Sequence, residues 1–358
     1  MGFGGIPIEV RGRPYDGAAL AMDDLAMVGQ TVGVEFELAS VRAASPDAFI
    51  AAVEKLRSER GARFILIDAE AATMAATARA ARSGDVLLFN VATETDALRG
   101  PDCLPHLMHL IPSIAMQTDA LVQYIVARKW RDVLVLEGPD ARDAKMVRAL
   151  ERSAKRFGAR IVTRRPFMLG NDPRERDQNN LALLTAGANY DVVFVADDSR
   201  ELSRYLPYQT MSPRPVIGSA GLTAEAWHWT WDRDGGANLS RRFRRMANRL
   251  MRSEDWAAWI GVKSIIEAVM RSKSTNFATV AAYLKGNEFR VDGSKGQALS
   301  FRPWDHQLRQ PIQLATHDAV IAQAPFPQFL HQNENLDTLG ADQSDSACRF
   351  PPKRATAP

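Results

Sequence analysis

The chain has 358 residues, of which 46% are hydrophobic and 24% charged, a composition typical of globular proteins and a length that suits two domains or lobes. Its 45 basic and 42 acidic residues give a formal net charge of +3, so bulk charge predicts no nucleic-acid partner. No apolar run approaches the roughly 20 residues that a membrane-spanning helix needs. Residues 1–5 lack the basic start and apolar core of a cleavable signal peptide, which suggests a cytosolic protein or a leader replaced by a start codon.

Short apolar runs alternate with amphipathic helical patterns as far as about residue 218. The clearest unit has an apolar run at 133–136, a helix at 141–157 with apolar residues three or four apart, and a segment at 191–198 whose residues 192–196 are apolar. This alternation indicates a parallel sheet covered by helices on both faces. The other predicted strands are residues 6–10, 34–41, 64–68, 86–90, 160–163 and 215–218, and the other predicted helices are residues 17–27, 46–60, a stretch from about 71, and 115–129.

Two helices carry boundary signals in their sequence. Ser45 suits an N-cap and Pro46 the first helical position, while Gly61 suits the helix end. Gly158 stands where the helix at 141–157 needs a left-handed residue.

After Ser219 the strand–helix alternation stops. Three helices are predicted at about 238–251, 254–272 and 277–285, then strands near 311–315 and 318–323, then a polar tail. A second strand–helix set followed by helices that need a partner sheet indicates a chain that returns to its first lobe. We expect two lobes joined by several crossings, with a ligand bound between them.

Polar residues follow most of the predicted strands. Ligands of open α/β sheets bind beyond the carboxyl ends of the strands, so these residues are candidate ligand contacts. An acidic site would suit a cation, an amine or a hard metal such as calcium, but the same acids could serve only as helix caps. If they bind ligand, Glu137→Gln and Asp197→Asn should leave the melting temperature unchanged or raise it. The candidates are Asp68, Glu70, Thr93, Glu94, Glu137, Asp140, Asp197 and Ser219.

Other motifs are weaker. Cys103, His106 and His109 have spacings close to those of metal ligands, but Pro105 interrupts the helix that would align them, so no metal site is predicted. The arginines at 241, 242, 244, 245, 249 and 252 share a helix with a good apolar stripe, which favours a solvated basic face. Trp227, Trp229 and Trp231 alternate, and they could form an apolar wall of the ligand site or pack in the core; Trp229 is the candidate contact.

Evidence for an enzyme is poor. The sequence GSAG at 218–221 is one residue short of a nucleophile elbow, and neither a glycine-rich phosphate loop nor a zinc signature is present. We therefore expect no catalytic residues and no cofactor.

Several blocks of sequence closely resemble substrate-binding proteins of ABC transporters associated with pyrroloquinoline-quinone-dependent alcohol dehydrogenase systems. This group looks like a branch of the type I periplasmic binding proteins, whose better-known members bind leucine, isoleucine and valine. The resemblance covers nearly the whole chain from about Tyr15. Its blocks are GNDPR at 170–174, RDQNN at 176–180, LLTAGA at 183–188, YDVVFVAD at 190–197, EDWAAW at 254–259, SFRPWD at 300–305 and NLDTLG at 335–340.

The resemblance implies an α/β fold with two lobes, each a parallel sheet flanked by helices, joined by three hinge crossings. The implied lobe 1 is 1–114 plus 232–304, lobe 2 is 115–231 plus 305–325, and 326–358 is a tail. Pro303 and Trp304 are expected at one crossing, where proline restricts bending. Cys103 and Cys348 could be two unrelated thiols, but in a periplasmic protein a disulfide between them would persist and would hold the tail, so we predict the bond.

The implied function is a periplasmic solute-binding protein that captures a small ligand between its lobes. Its partners would be that ligand and the membrane subunits of an ABC transporter linked to pyrroloquinoline-quinone-dependent alcohol oxidation, with no nucleic acid and no membrane insertion. A sensor or accessory protein of the same system, or less readily an enzyme, is the alternative. The loop at 68–73 departs from the amino-acid binders, because it has two acids and one hydroxyl where they hold a carboxylate through Ser and Thr.

Overall fold

The computed structural model describes residues 13–81, 85–168 and 179–350. The chain forms two compact units: unit 1 comprises the described parts of Met1–Ile111, Trp229–Gln310 and Ala347–Pro358, and unit 2 comprises those of Pro112–His228 and Pro311–Ser346. The predicted strand at 6–10, the motif at 170–174 and most of the motif at 176–180 lie outside the described residues.

The passages of the chain between units differ in detail from those expected. They fall after Ile111, His228 and Gln310, and a fourth falls after Ser346. Residues 305–310, expected in lobe 2, therefore lie in unit 1, and the tail is divided between both units. The motif with Pro303 and Trp304 lies inside unit 1 rather than at a passage.

The helices of the described residues follow the predicted order. They are α1 Tyr15–Asp24, α2 Ala26–Val32, α3 Pro46–Arg60, α4 Ala71–Ala80, α5 Ile114–Ala127, α6 Ala141–Phe157, α7 Leu181–Leu184, α8 Leu206–Gln209, α9 Gly236–Ala247, α10 Ser253–Ser272 and α11 Phe277–Leu284. The predicted helix at 17–27 is two helices, since Leu25 leaves the helical conformation at φ −112° and ψ 8°.

The strands within those residues form four sheets. They are β1 Phe64–Ile67, β2 Leu87–Asn90, β3 Leu107–His109, β4 Asp132–Glu137, β5 Arg160–Pro166, β6 Val192–Ala196, β7 Val216–Gly218, β8 Thr223–Glu225, β9 Val291–Asp292, β10 Ala298–Phe301, β11 Leu308–Arg309, β12 Ile312–Ala315 and β13 Val320–Ala324. The parallel sheets are β1-β2-β3 in unit 1 and β5-β4-β6-β7 in unit 2, and the antiparallel sheets are β11-β10-β9 in unit 1 and β13-β12-β8 in unit 2.

The helix-boundary signals are confirmed. Ser45 Oγ accepts a hydrogen bond of 3.3 Å from the Ala48 amide at the start of α3. Gly61 and Gly158 have φ of 65° and 83° at the ends of α3 and α6, in the left-handed region that glycine tolerates without strain.

The parallel sheet of unit 2 is buried on both faces, which explains its continuous apolar strands. Val133 and Val135 of β4 face a core formed with α5 and α6, while Leu134 and Leu136 face a second core that includes Phe167. Both β4 and β6 are apolar at almost every position because neither face meets water. The predicted α/β class with parallel sheets flanked by helices is confirmed.

The predicted strand at 34–41 is wrong. Half-buried residues alternate with exposed ones from Val34 to Leu38, as an extended segment requires. However, no strand within the described residues pairs with this segment. The sequence pattern reflected partial burial of one side of the segment, and partial burial does not require a neighbouring strand.

The tail is attached to unit 1 by a disulfide. Cys103 and Cys348 are bonded, with Cα atoms 5.6 Å apart. The ring of Phe350 stacks on His306 with centroids 4.5 Å apart. These contacts account for the fourth passage of the chain, because they draw the residues after Ser346 onto unit 1.

Candidate functional site

The carboxyl edge of the unit 1 parallel sheet carries the first group of candidates. Ile67 at the end of β1 pairs with Asn90 at the end of β2, and Asn90 pairs with His109 of β3. Asp68 and Glu70 therefore follow one strand, and Thr93 and Glu94 follow its neighbour, at the same edge. The structure brings these four predicted residues to one side of unit 1.

Two of these carboxylates, Asp68 and Glu70, do not serve as helix caps, which was the alternative that the sequence left open. Glu70 occupies the N-cap position of α4 but makes no capping hydrogen bond. Asp68 is exposed, and within the described residues nothing hydrogen-bonds to its carboxylate. Although solvent reaches Asp68, the protein atoms crowded around it raise its pKa by desolvation; Arg13 opposes this shift and Asp255 adds to it.

More acids lie near the same edge. Glu254 and Asp255 are in the first turn of α10, where acids are favoured by the helix dipole. Burial raises the pKa of Glu254, and the charges of Glu94 and Asp255 add to that rise. Arg249 donates two hydrogen bonds of 2.7 Å to Asp255, and this pairing raises the pKa of Arg249. The edge therefore carries more acids than bases, although the charge of Arg13 acts on Asp68, that of Arg252 acts on Glu254, and Arg249 pairs with Asp255.

The loop after β2 is held from within. The Asn90 side-chain oxygen accepts hydrogen bonds from the amides of Ala92 and Thr93 at 3.1 and 2.9 Å, and its nitrogen donates to the Thr93 carbonyl at 2.7 Å. The same nitrogen lies 3.1 Å from His109 Nδ1. Burial lowers the pKa of His109 well below its usual value, and Arg99 and His306 act in the same direction. A neutral imidazole then accepts from Asn90 at Nδ1 and donates from Nε2 to the Leu98 carbonyl at 3.1 Å.

The carboxyl edge of the unit 2 parallel sheet carries the second group. Glu137 of β4 pairs with Ala196 of β6, and Val195 pairs with Gly218 of β7. Glu137, Asp197 and Ser219 therefore end neighbouring strands at one edge, as their positions in the sequence predicted. Gly218 has φ of 110° and lies against the backbone of Val195, so a side chain at this position would meet that backbone.

Asp197 is a structural residue. Its side chain is fully buried, and one carboxylate oxygen accepts from Ser199 Oγ at 2.7 Å and from the Arg200 amide at 3.0 Å. The other accepts from the amides of Leu202 and Ser203 at 3.1 and 2.8 Å. Four donors satisfy the carboxylate, so it shapes the turn after β6 and has no lone pair left in good geometry for a ligand.

The other unit 2 acids are largely committed as well. Glu137 accepts a hydrogen bond of 2.5 Å from Arg164 Nε. Asp140 is exposed at the start of α6, where it serves as the N-cap. The buried Asp143 carboxylate accepts from the Asp140 and Asp198 amides at 3.1 and 2.7 Å, and burial raises its pKa. The expectation of uncommitted acids at this edge is met best by Asp140.

The remaining sequence motifs do not form a site. Trp227 and Trp231 are buried in the core, which is one of the two outcomes that the sequence left open, and Trp229 is half-buried in a turn. Cys103 is disulfide-bonded, and His106 Nε2 lies 2.7 Å from the Ala78 carbonyl. Within residues 13–81, 85–168 and 179–350 no group of three His, Cys, Asp or Glu side chains is arranged to hold a metal.

Sequence reasoning missed the residues that shape these edges. Asn90 ends an apolar strand, and a polar residue at such a position is a usable signal. Asp143 stands three residues after Asp140, the spacing of a capping box. Arg99 and Gln307 gave no signal, because their importance depends on contacts between segments 208 residues apart.

Fold and edge geometry together define a type I periplasmic binding protein of two α/β lobes. The chain belongs to the periplasmic binding protein family, whose sequence profile matches residues 12–206. No match was found among curated protein sequences. Every helix in the described parts of the chain is too short or too polar to span a lipid bilayer.

Solved structures share the fold at low sequence identity. A branched-chain amino acid ABC transporter periplasmic ligand-binding protein from Burkholderia xenovorans LB400 has a TM-score of 0.75 at 15% identity, with 94% of this chain and 93% of that chain covered. The leucine-, isoleucine-, valine-, threonine- and alanine-binding protein of Brucella ovis has 0.73 at 16%, with 94% of both chains covered. A solute-binding protein of Rhodopseudomonas palustris BisB5 in complex with 3,4-dihydroxybenzoic acid has 0.63 at 14%, with 88% and 92% covered.

Proposed function

We propose that this protein is a periplasmic solute-binding protein of an ABC transporter and that its ligand carries a positively charged group. The observation that carries the proposal is the state of Asp68. Its carboxylate ends a parallel strand in a ligand-binding fold, reaches solvent, and receives no hydrogen bond within the described residues. Crowding raises its pKa, so a cation that pairs with it recovers the lost solvation.

The neighbouring charges support the same ligand class. Glu70 adds a second exposed carboxylate with no capping bond, and Glu94 and Glu254 interact electrostatically nearby. An ammonium group can donate up to three hydrogen bonds to such acceptors, whereas a lone carboxylate would be repelled. An amine, or the ammonium end of an amino acid, therefore fits the edge of unit 1.

Unit 2 contributes differently in this proposal. Asp140 is exposed at the N-terminus of α6, and Ser219 ends β7 half-buried. With Asp197 and Glu137 committed to internal partners, unit 2 offers a hydroxyl, amides and one exposed acid, which is a less charged surface. Thr93 and Trp229 stay candidate contacts of unit 1, with Trp229 suited to an apolar part of the ligand.

The association with alcohol oxidation is supported by the sequence resemblance. The blocks at 183–188, 190–197, 254–259, 300–305 and 335–340 resemble those of binding proteins associated with pyrroloquinoline-quinone-dependent alcohol dehydrogenase systems. In this proposal the transported compound is a small molecule made or needed by that oxidation, and the partner is the membrane part of the transporter. The protein binds this compound and does not convert it.

Native mass spectrometry of gently purified protein, followed by thermal shift assays, tests the proposal. The panel is ethanolamine, putrescine, L-leucine, 3,4-dihydroxybenzoate and pyrroloquinoline quinone. We expect an amine or amino acid to raise the melting temperature without being consumed. Stabilisation by 3,4-dihydroxybenzoate or the quinone alone would overturn the assigned ligand charge. Consumption of any compound would show an enzyme.

A further inference from the structure

Unit 1 buries four long polar side chains close to the points where the chain leaves or enters it. Arg99 is 5% exposed, Gln307 1%, and Lys295 and Gln310 are fully buried. Side chains of this kind are rarely buried, because their loss of hydration must be offset by hydrogen bonds inside the protein. We call these four residues the passage network.

The passage network holds the last strand segment before the first passage. Gln307 Nε2 donates to the carbonyls of His109 and Ile111, both at 3.2 Å. Gln310 Nε2 donates to the Leu110 carbonyl at 2.6 Å. Three consecutive carbonyls are thus fixed by side chains, immediately before the chain passes to unit 2 after Ile111.

The same network reaches two further passages. Gln310 is the last residue of unit 1 before the chain leaves it again. Lys295 Nζ donates to Gln310 Oε1 at 2.8 Å and lies 3.6 Å from the centre of the Trp256 ring. Its neighbour Ser294 accepts, through its carbonyl, a hydrogen bond of 2.9 Å from the indole of Trp231, two residues into unit 1 after the second passage.

Arg99 joins this network to the loop at residues 91–95. Its Nη1 donates to the carbonyls of Thr93 and Thr95 at 3.2 and 3.0 Å, while Nη2 donates to the Ile111 carbonyl at 2.8 Å. Its Nε donates to Gln307 Oε1 at 2.7 Å. One planar guanidinium therefore fixes the loop and the first passage in a single geometry, which a lysine ammonium cannot reproduce.

We propose that Arg99 is a positioning residue that couples the loop at 91–95 to the segment 109–111 through which the chain leaves unit 1. This rests on the proposed function in one respect, namely that the loop with Thr93 and Glu94 contacts ligand. A displacement of the loop moves the Thr93 and Thr95 carbonyls, and the guanidinium that binds them also binds Ile111. A ligand that contacts the loop therefore affects the segment 109–111, through which the chain leaves unit 1.

A purely structural role for Arg99 makes a different prediction. In that case its removal weakens unit 1 generally, as removal of any buried hydrogen-bonded side chain does. If Arg99 couples the loop at 91–95 to the segment 109–111, its loss must change both. Loss of a network member that does not hydrogen-bond to the loop must change only the segment 109–111. Gln310 is such a member, because it hydrogen-bonds to Leu110 and Lys295 and, within the described residues, makes no hydrogen bond to residues 91–95.

Amide hydrogen exchange of the ligand-free protein, resolved by NMR, separates these two cases. The Ala92 and Thr93 amides, bonded to Asn90, report on the loop. The His109 and Leu110 amides, bonded to the carbonyls of His306 and Asn90, report on the passage. The Val280 amide of unit 1, bonded to the Asn276 carbonyl, reports on general weakening of unit 1, and the Val193 amide of unit 2 reports on global unfolding.

We expect Arg99→Met to accelerate exchange at the loop and at the passage by about tenfold or more, with Val280 and Val193 unchanged. An equal acceleration at Val280 would show the purely structural role instead. Gln310→Met should accelerate the passage amides and leave Ala92 and Thr93 within about twofold. If Arg99→Met does not fold, Arg99→Lys is used in its place, because lysine keeps the positive charge but lacks the planar guanidinium. The same exchange rates are then expected. Acceleration at one end alone, or an equal effect of Gln310→Met at both ends, would overturn the coupling. A protein that binds nothing in the thermal shift panel would refute the proposed function and leave this result standing.

Discussion

The hydroxyl of Ser219 accepts a hydrogen bond of 2.9 Å from the backbone amide of Asp197. Both residues end strands at the carboxyl edge of the unit 2 sheet, and both were predicted as ligand contacts. The bond shows that side chains at this edge also build the edge: Ser219 fixes the start of the turn after β6, and the Asp197 carboxylate fixes the rest of it. A position at a strand end therefore does not by itself make a residue a ligand contact.

The first prediction follows from the four donors around Asp197. Replacement by Asn supplies only one acceptor oxygen, so about two of these hydrogen bonds are lost in a buried position. We expect Asp197→Asn to lower the free energy of unfolding by about 2–4 kcal/mol, in contrast to the neutral effect expected from the sequence. Urea denaturation measures the change. The control Asp198→Asn removes an exposed partner of Arg142 and should change stability by less than about 1 kcal/mol. An Asp197→Asn protein as stable as the parent would contradict the structural role.

The second prediction concerns pH. Burial lowers the pKa of His306 to about 3, and burial also lowers the pKa of His109 well below its usual value. Below about pH 6.5 the unfolded chain binds protons at both histidines and the folded chain does not. Above pH 6.5 the free energy of unfolding does not depend on these two histidines. Below pH 6.5 it decreases, by up to about 1.4 kcal/mol per pH unit for each histidine.

Urea denaturation at intervals between pH 7.5 and 5.5 measures this slope, before most carboxylates titrate. His306→Phe keeps an aromatic ring against Phe350 and should remove the part of the decrease that His306 causes. The part that remains is due to His109, His106 and His228, because burial lowers the pKa of each of them as well. A slope that is the same in this variant would show that other groups cause the pH dependence.

The third prediction tests the acidic edge of unit 1. Asp68→Asn and Glu70→Gln should each weaken binding of the amine or amino acid found in the thermal shift panel by about 10- to 100-fold, because a charge-assisted hydrogen bond is lost. Stability of the empty protein should stay unchanged or rise slightly for Asp68→Asn, since the folded state disfavours that charge. Isothermal titration calorimetry gives the affinities. Glu59→Gln on the exposed face of α3 is the matched control. An equal loss of affinity in this control would show that Asp68 and Glu70 do not contact the ligand.

The fourth prediction concerns the disulfide. Thiol titration of the denatured, unreduced protein should find no free thiol, and reduction should release two. The bond closes a loop of 245 residues, so Cys348→Ser should lower stability by on the order of 4 kcal/mol in the chain-entropy model. The double variant with Cys103→Ser should be no less stable than the single one, because the single variant has already lost the bond. Two thiols in the unreduced protein would refute the bond.

The sequence predicted the strand–helix alternation of both units because that alternation is local. Strand β4 is apolar on both faces, and α6 ends at a glycine, so each pattern can be read within one segment. The strand predicted at 34–41 was wrong, since its apolar residues are half-buried without a paired strand among the described residues. Elements such as β4 and α6 were predicted correctly because their sequence patterns lie within a single segment.

The candidate site was predicted in position but only partly in chemistry. The strand register brings Asp68 and Glu137 to their edges as expected, whereas the partners of each carboxylate come from distant segments. Glu137 is paired with Arg164, 27 residues away, and Arg99 with Gln307, 208 residues away. No local pattern reports such pairs, so the division between committed and uncommitted acids required the structure.

The repeated passage of the chain between the two units constrains the order in which the protein can fold. Asp24 near the start contacts Arg242 and Trp259, 218 and 235 residues later, and Asp119 contacts Gly340, 221 residues later. A nascent chain therefore lacks native partners for both units until residues 340 and 348 have been made, and contacts of such large sequence separation slow folding. A premature stop at residue 310 would leave α5 without its bond to Gly340 and Cys103 without Cys348, so both units, and not only the later one, would be left incomplete.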